Sequence, residues 1–123
     1  MSGNINALIV DDLPRTRQSI RALLATWPRL ASALEAASAD EALGILETSP
    51  IDVVLMDVRM SGMDGLEATR HIKARWPRVR VIVLSMYSEY ADRAVSAGAD
   101  SFVSKIDPAE RLLAELERVV DSL

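Results

Sequence analysis

Six polar residues follow directly on short apolar runs: Asp11 and Asp12 after Ala7-Leu8-Ile9-Val10, Asp57 after Val53-Val54-Leu55-Met56, Ser85 after Val81-Ile82-Val83-Leu84, and Ser104 with Lys105 after Ser101-Phe102-Val103. Carboxylates, hydroxyls and one ammonium form a set suited to handling a phosphoryl group. If the three acids converge they repel one another. A like-charged pair at ~4 Å costs about 4 kcal/mol at an effective dielectric of about 20. A proton or a cation must relieve that repulsion. Hard oxygen donors in small number favour Mg²⁺, which keeps several waters and commonly bridges to phosphoryl oxygens. Nothing in the chain resembles the spaced acids and final Glu of a calcium-binding loop. A carboxylate beside such an ion can act as a nucleophile and accept a phosphoryl group. Metal, lysine and hydroxyl would then stabilise the equatorial oxygens.

Convergence depends on the elements that carry these residues. The apolar runs are short, unbroken and rich in β-branched residues, as expected of strands in a parallel sheet covered on both faces. A further strand is expected over Ala31 to Ala36, although alanine is a poor strand former. Helical spacing recurs in Ile20, Leu23, Leu24 and Trp27, and again in Ala42, Leu43, Ile45 and Leu46. Leu66, Thr69, His71 and Ile72 match less well. Leu112, Leu113, Leu116, Val119 and Val120 form the clearest stripe, with Glu110, Arg111, Glu115, Glu117 and Arg118 on the expected wet side. Pro14 suits a first helical turn, and Asp107-Pro108 an N-cap followed by the first helical residue. Asp64 and Glu67 have the spacing of a capping box. Trp27-Pro28-Arg29 and Trp76-Pro77-Arg78 repeat one device, in which the residue before proline leaves the helical region and the helix stops.

Strand and helix alternate five times, which predicts a single α/β domain over 1–123 with right-handed crossovers and helices on both sides of the sheet. Ligands of such sheets collect at the carboxyl ends of the strands, where the six polar residues fall.

The 123 residues carry a formal charge of −4, with half of the chain hydrophobic and about a quarter charged. This is the composition of a folded globular domain. Cysteine is absent and His71 is the only histidine, so thiol catalysis and zinc sites of the Cys/His kind are excluded. No apolar run approaches the ~20 residues of a membrane span. The polar start, Met1 to Asn6, is unlike a signal peptide, so a cytoplasmic location is expected. A sequence pI near 4.9 argues against direct nucleic-acid binding through a broad basic surface. His71 is expected to be an ordinary helix residue, Trp27 and Trp76 packing residues, and Met56, Met60, Met63 and Met86 adaptable packing near the site.

The motifs Leu8-Ile9-Val10-Asp11-Asp12, Val54-Leu55-Met56-Asp57-Val58-Arg59-Met60, Gly62-Met63-Asp64-Gly65, Val83-Leu84-Ser85, Ala97-Gly98-Ala99-Asp100 and Phe102-Val103-Ser104-Lys105 together resemble the receiver domain of two-component response regulators. The detail around Leu84-Ser85-Met86-Tyr87 is most similar to receivers of NarL/FixJ-like helix-turn-helix regulators. The resemblance spans essentially the whole chain. It implies a flavodoxin-like (βα)5 fold with sheet order 2-1-3-4-5. It also implies a phosphorylation-controlled switch, a signalling domain that assists only its own phosphorylation and slow autodephosphorylation.

By position, the resemblance implies that Asp57 is the phosphoacceptor. Asp12, Asp57 and the Arg59 backbone carbonyl would bind Mg²⁺, with Asp11 acting mainly through metal-bound water. Lys105 would pair with the phosphoryl oxygens. Ser85 would swing to the phosphate, and Phe102 would follow it inward. Arg59 and Tyr87 fall at positions that tune dephosphorylation in the family. The implied partners are a sensor histidine kinase or a phosphotransfer protein, with homodimerisation on phosphorylation possible. The implied readout is the surface of the fourth helix, fifth strand and fifth helix, controlling transcription if a DNA-binding domain follows.

The chain departs from the family pattern in Phe102 for a frequent tyrosine, and in Ile106 and Ser61 for frequent prolines. The Ile106 substitution leaves open whether the Lys105–Ile106 peptide is cis. Two other functional classes fit less well. A flavin or nucleotide module wants a Gly- or Ser/Thr-rich phosphate loop after the first strand, where this chain has Asp11-Asp12-Leu13-Pro14. A phosphatase of the haloacid dehalogenase type wants a second Asp two residues after the nucleophile, where this chain has Arg59.

Overall fold

A computed structural model describes residues 3–121. Five strands, β1 (Ile5–Val10), β2 (Leu30–Ala36), β3 (Val53–Asp57), β4 (Arg80–Ser85) and β5 (Ser101–Ser104), pair in the order β2-β1-β3-β4-β5. Every pairing is parallel. Helices α1 (Pro14–Leu24), α2 (Ala39–Thr48), α3 (Gly65–Arg75), α4 (Ala91–Ser96) and α5 (Ala109–Val120) complete a three-layer, flavodoxin-like sandwich. No helix among the described residues is long and apolar enough to cross a membrane.

The unbroken apolar runs are explained by the two covered faces. Alternate residues of each strand serve opposite cores. Leu8, Val10, Val54, Met56, Val81 and Val83 pack with α2, α3 and α4. Ala7, Ile9, Val53, Leu55, Ile82 and Leu84 pack with α1 and α5. Strand β3, at the centre, is buried at every position. Strand β2 lies at the edge and buries only Ala36. Low β propensity is tolerated there because backbone pairing with β1 carries the strand.

The two Trp-Pro-Arg segments do form the same joint. In each, the tryptophan carbonyl accepts an N–H three residues on, from Leu30 at 3.1 Å and from Val79 at 3.0 Å. The helices before them end differently: α3 stops at Arg75, next to Trp76, whereas α1 stops at Leu24, short of Trp27. Pro14 opens α1, and the Asp64 carboxylate caps α3 by accepting the Glu67 N–H.

Three expectations are corrected. Helix α5 starts at Ala109, one residue late, because Pro108 is extended (φ −57°, ψ 149°) and Asp107 accepts the Ser104 N–H instead of capping the helix. Glu115 and Glu117 do not lie on a simple wet face. Glu115 accepts from Ser101 and Arg118, and Glu117 accepts from Trp27 Nε1 at 2.7 Å and Arg29 at 3.0 Å. Met86 is 54% exposed, so packing does not account for it. Helix α4 left no stripe in the sequence. It has only six residues, follows a single 3-10 turn (Ser88–Tyr90), and buries Ala94 alone.

Leu116 is fully buried between α5 and the sheet. Truncation to alanine should cost about 2–5 kcal/mol, measured as a shift in the urea midpoint with an unchanged m-value.

Candidate functional site

Parallel register brings the chemistry to one edge. Val10 lies opposite Met56, Asp57 opposite Leu84, and Ser85 opposite Ser104. The residues that follow or end these strands therefore share the carboxyl rim. Backbone hydrogen bonds extend the alignment past the strands: Asp11 N–H donates to Ala36 O at 3.1 Å, and Lys105 N–H to Ser85 O at 2.9 Å.

At this rim the Lys105 ammonium lies 2.9 Å from Asp11 Oδ2 and 2.9 Å from Asp57 Oδ1. Asp11, Asp12 and Asp57 each offer a carboxylate oxygen, all within 4.8 Å of one another. Asp11 and Asp57 are buried and Asp12 is exposed. Burial pushes the Asp57 carboxyl above its ordinary pKa. The Lys105 bond and charge pull it down, and Asp11 and Asp12 push it further up. Burial pulls Lys105 down, but its bonds to Asp57 and Asp11 outweigh this and leave it raised. One ammonium among three carboxylates leaves two negative charges uncompensated. That donor set fits a divalent, oxygen-seeking cation such as Mg²⁺.

The loop after β3 is shaped by glycine. A Cβ on Gly65 would lie 1.8 Å from the Asp57 carbonyl oxygen, so α3 can begin against the Asp57 backbone only with glycine there. Gly62 takes φ +77°, a left-handed value that glycine adopts without strain.

The other sequence-predicted residues sit around this centre. The Ser85 hydroxyl is buried and accepts the Tyr87 N–H at 3.0 Å. Phe102 is half-buried against the core on the α2–α4 side. The Arg59 guanidinium stacks over the Tyr87 ring, 5.1 Å from its centroid. No peptide bond among the described residues is cis, so the Lys105–Ile106 bond is trans. His71 is exposed on α3.

Two residues of this region were not singled out from the sequence. Tyr90 meets Tyr87 edge-on at 6.3 Å, and Arg93 lies 5.5 Å from the Tyr90 centroid. Arg59, Tyr87, Tyr90 and Arg93 thus form a ladder from the loop after β3 to α4. Arg59, Tyr90 and Arg93 also line a polar recess with Asp12 and Asp64. Aromatics and arginines spread over a loop, a single 3-10 turn and a six-residue helix have no periodicity that would reveal such stacking.

Residues 7–117 match the family model of the response regulator receiver domain. Among curated proteins, the chain is 36% identical to the fimbriae Z protein of Salmonella typhimurium over 81% of its own length and 49% of that protein. It is 36% identical to the response regulator protein VraR of Staphylococcus aureus over 86% of its length and 52% of that protein. The chain therefore spans about half the length of the curated relatives it matches. Among solved structures, a LuxR-family two-component response regulator from Aurantimonas sp. superposes with TM-score 0.88 at 34% identity, covering 98% of this chain and 87% of that one. The response regulator protein TrrA of Thermotoga maritima, in complex with Mg(2+)-BeF, superposes with TM-score 0.87 at 27% identity, covering 94% and 99%. The fold and the acidic rim define a receiver-type signalling domain. This chain belongs to the response regulator receiver domain family of two-component signalling.

A carboxyl whose pKa is raised by folding contributes stability that is present below its unfolded value and lost as pH rises through the folded one. Asp57→Asn removes that penalty. In chelator the variant should unfold at higher urea than the parent at pH 7. The difference should close at acidic pH, where Asp57 is protonated in both folded and unfolded parent.

Proposed function

We propose that residues 1–123 act as one receiver unit in which Asp57 accepts a phosphoryl group in an Mg²⁺-dependent reaction. The observation that carries this reading is the double contact of Lys105 with Asp11 and Asp57, within reach of Asp12. Asp12, Asp57 and the Arg59 carbonyl would hold Mg²⁺ directly, with Asp11 in the outer shell. When bound, the ion supplies Lewis-acid neutralisation of phosphoryl and carboxylate oxygens.

Asp57 uses a carboxylate oxygen to attack phosphorus. As the new O–P bond forms, the bond from phosphorus to the donor breaks and the departing group keeps the electron pair. The donor is a phosphohistidine on a sensor kinase or a phosphotransfer protein. Lys105 already donates to one oxygen of the Asp57 carboxylate. Exchange of a carboxylate contact for a phosphoryl oxygen lets it stabilise charge as that charge develops. Ser85 exchanges its bond from the Tyr87 N–H for one to the phosphoryl group, and the half-buried Phe102 follows it inward.

These exchanges favour a second arrangement of α4, β5 and α5, a population shift driven by contacts that only one state can make. Moving the balance from about 1:99 to 99:1 takes about 5.5 kcal/mol of differential interaction. The altered surface would meet a partner or a second copy of the chain, in a cytoplasmic protein. The output is transcription where a DNA-binding domain follows.

Incubation with Mg²⁺ and acetyl phosphate, followed by intact mass, should show one phosphoryl adduct that is absent in chelator and in Asp57→Ala. An adduct on Asp57→Ala would overturn the acceptor assignment. Arg59 packs over Tyr87 close to the acceptor, where it shields the acyl phosphate from water. Arg59→Ala should therefore shorten the phosphoryl lifetime, and an unchanged decay would refute that shielding.

A further inference from the structure

We infer that Arg17, on the second turn of α1, is a positioning residue for the acidic site, acting through the Asp11–Asp12 peptide. The inference rests on the reading that Asp12 helps to hold a divalent cation. Asp12 is exposed, and its carboxylate makes no hydrogen bond to any described residue. Only the backbone that carries it can aim it at the site.

That backbone is held by its neighbour. Every polar group of Asp11 is engaged. Its N–H donates to Ala36 O, its Oδ1 accepts the Leu13 N–H at 2.9 Å, and its Oδ2 accepts Lys105. Its carbonyl, which forms the peptide with Asp12, accepts Arg17 Nη1 at 2.7 Å. Arg17 is fixed in turn by Glu35 near the end of β2, with Nε donating to Oε1 at 2.9 Å. The Arg17 side chain is 16% exposed, well shielded for an arginine.

The planar guanidinium makes this bridge possible, because two of its N–H groups reach two acceptors in a fixed relation. Rotation of the Asp11–Asp12 peptide would break the bond to Arg17. The arginine therefore sets the direction in which Asp12 leaves the backbone. Loss of such an outer partner commonly lowers metal affinity by about 10–100-fold.

Arg21 provides the control. It also pairs with Glu35, at 2.7 Å, but its second bond goes to Ala33 O, away from the acids. Arg17→Met and Arg21→Met each remove one ion pair to Glu35, and only the first frees the Asp11 carbonyl. Mg²⁺ binding to the unphosphorylated protein, measured by titration calorimetry at a temperature where circular dichroism shows each variant folded, distinguishes them. Arg17→Met should bind Mg²⁺ about tenfold more weakly than the parent or worse, and Arg21→Met should bind within about twofold of it. Parent-like affinity in Arg17→Met, or equal losses in the two variants, would overturn the positioning role. If Arg17→Met does not fold, Arg17→Gln, which keeps a good helix former, is judged by the same two criteria. A parent that itself binds no Mg²⁺ overturns the functional reading instead, so the two failures are distinct.

Discussion

The ammonium of Lys105, held between the carboxylates of Asp11 and Asp57, is the contact on which the rest of this structure turns. It joins the ends of β1, β3 and β5, which are far apart in sequence and reach one rim only because the sheet is parallel. Two buried acids brought this close would otherwise favour protonation or separation. One lysine relieves part of the repulsion and leaves a net negative pocket, and Asp12 deepens it from the solvent side. Because the compensation is incomplete, the donor set left at the pocket suits a divalent, oxygen-seeking cation.

The surroundings of this pocket are built to unequal firmness. On one side, Asp11 is engaged at every polar atom, and Gly65 sets α3 directly against the Asp57 carbonyl. On the other side, α4 buries one residue and is joined to the Arg59 loop by stacked arginine and tyrosine side chains, with Tyr87 itself exposed. Cation–π and edge-on aromatic contacts are each worth about 1 kcal/mol, small beside the burial of an apolar helix face. Rearrangement is therefore cheaper at α4 than at α3, which buries Gly65, Leu66, Ala68, Thr69 and Ile72. Helix α5 is anchored through its second half, by Glu115 to Ser101 and by Glu117 to Trp27 and Arg29.

Much of this was legible in the chain. The strand cores were readable because a parallel strand covered on both sides must be apolar at every position. The stripe of α5 was readable because twelve residues display helical period clearly. Helix α4 was not, since six residues with one buried side chain show no period. The start of α5 was misplaced because aspartate before proline suits either a cap or a turn. Here the Asp107 carboxylate bonds back to Ser104. The partners of Glu115 and Glu117 were hidden because a glutamate on a charged helix face looks the same whether it meets water or an indole N–H.

The sequence by itself determined which residue types end the strands and the order in which strands and helices alternate, because burial and local propensity act through near neighbours along the chain. Tertiary structure alone decided that Lys105 spans two particular acids, that Arg59 stacks on Tyr87, and that Arg17 reaches the Asp11 carbonyl. These contacts depend on register and on the direction of each side chain, and both are set only when separate elements pack together.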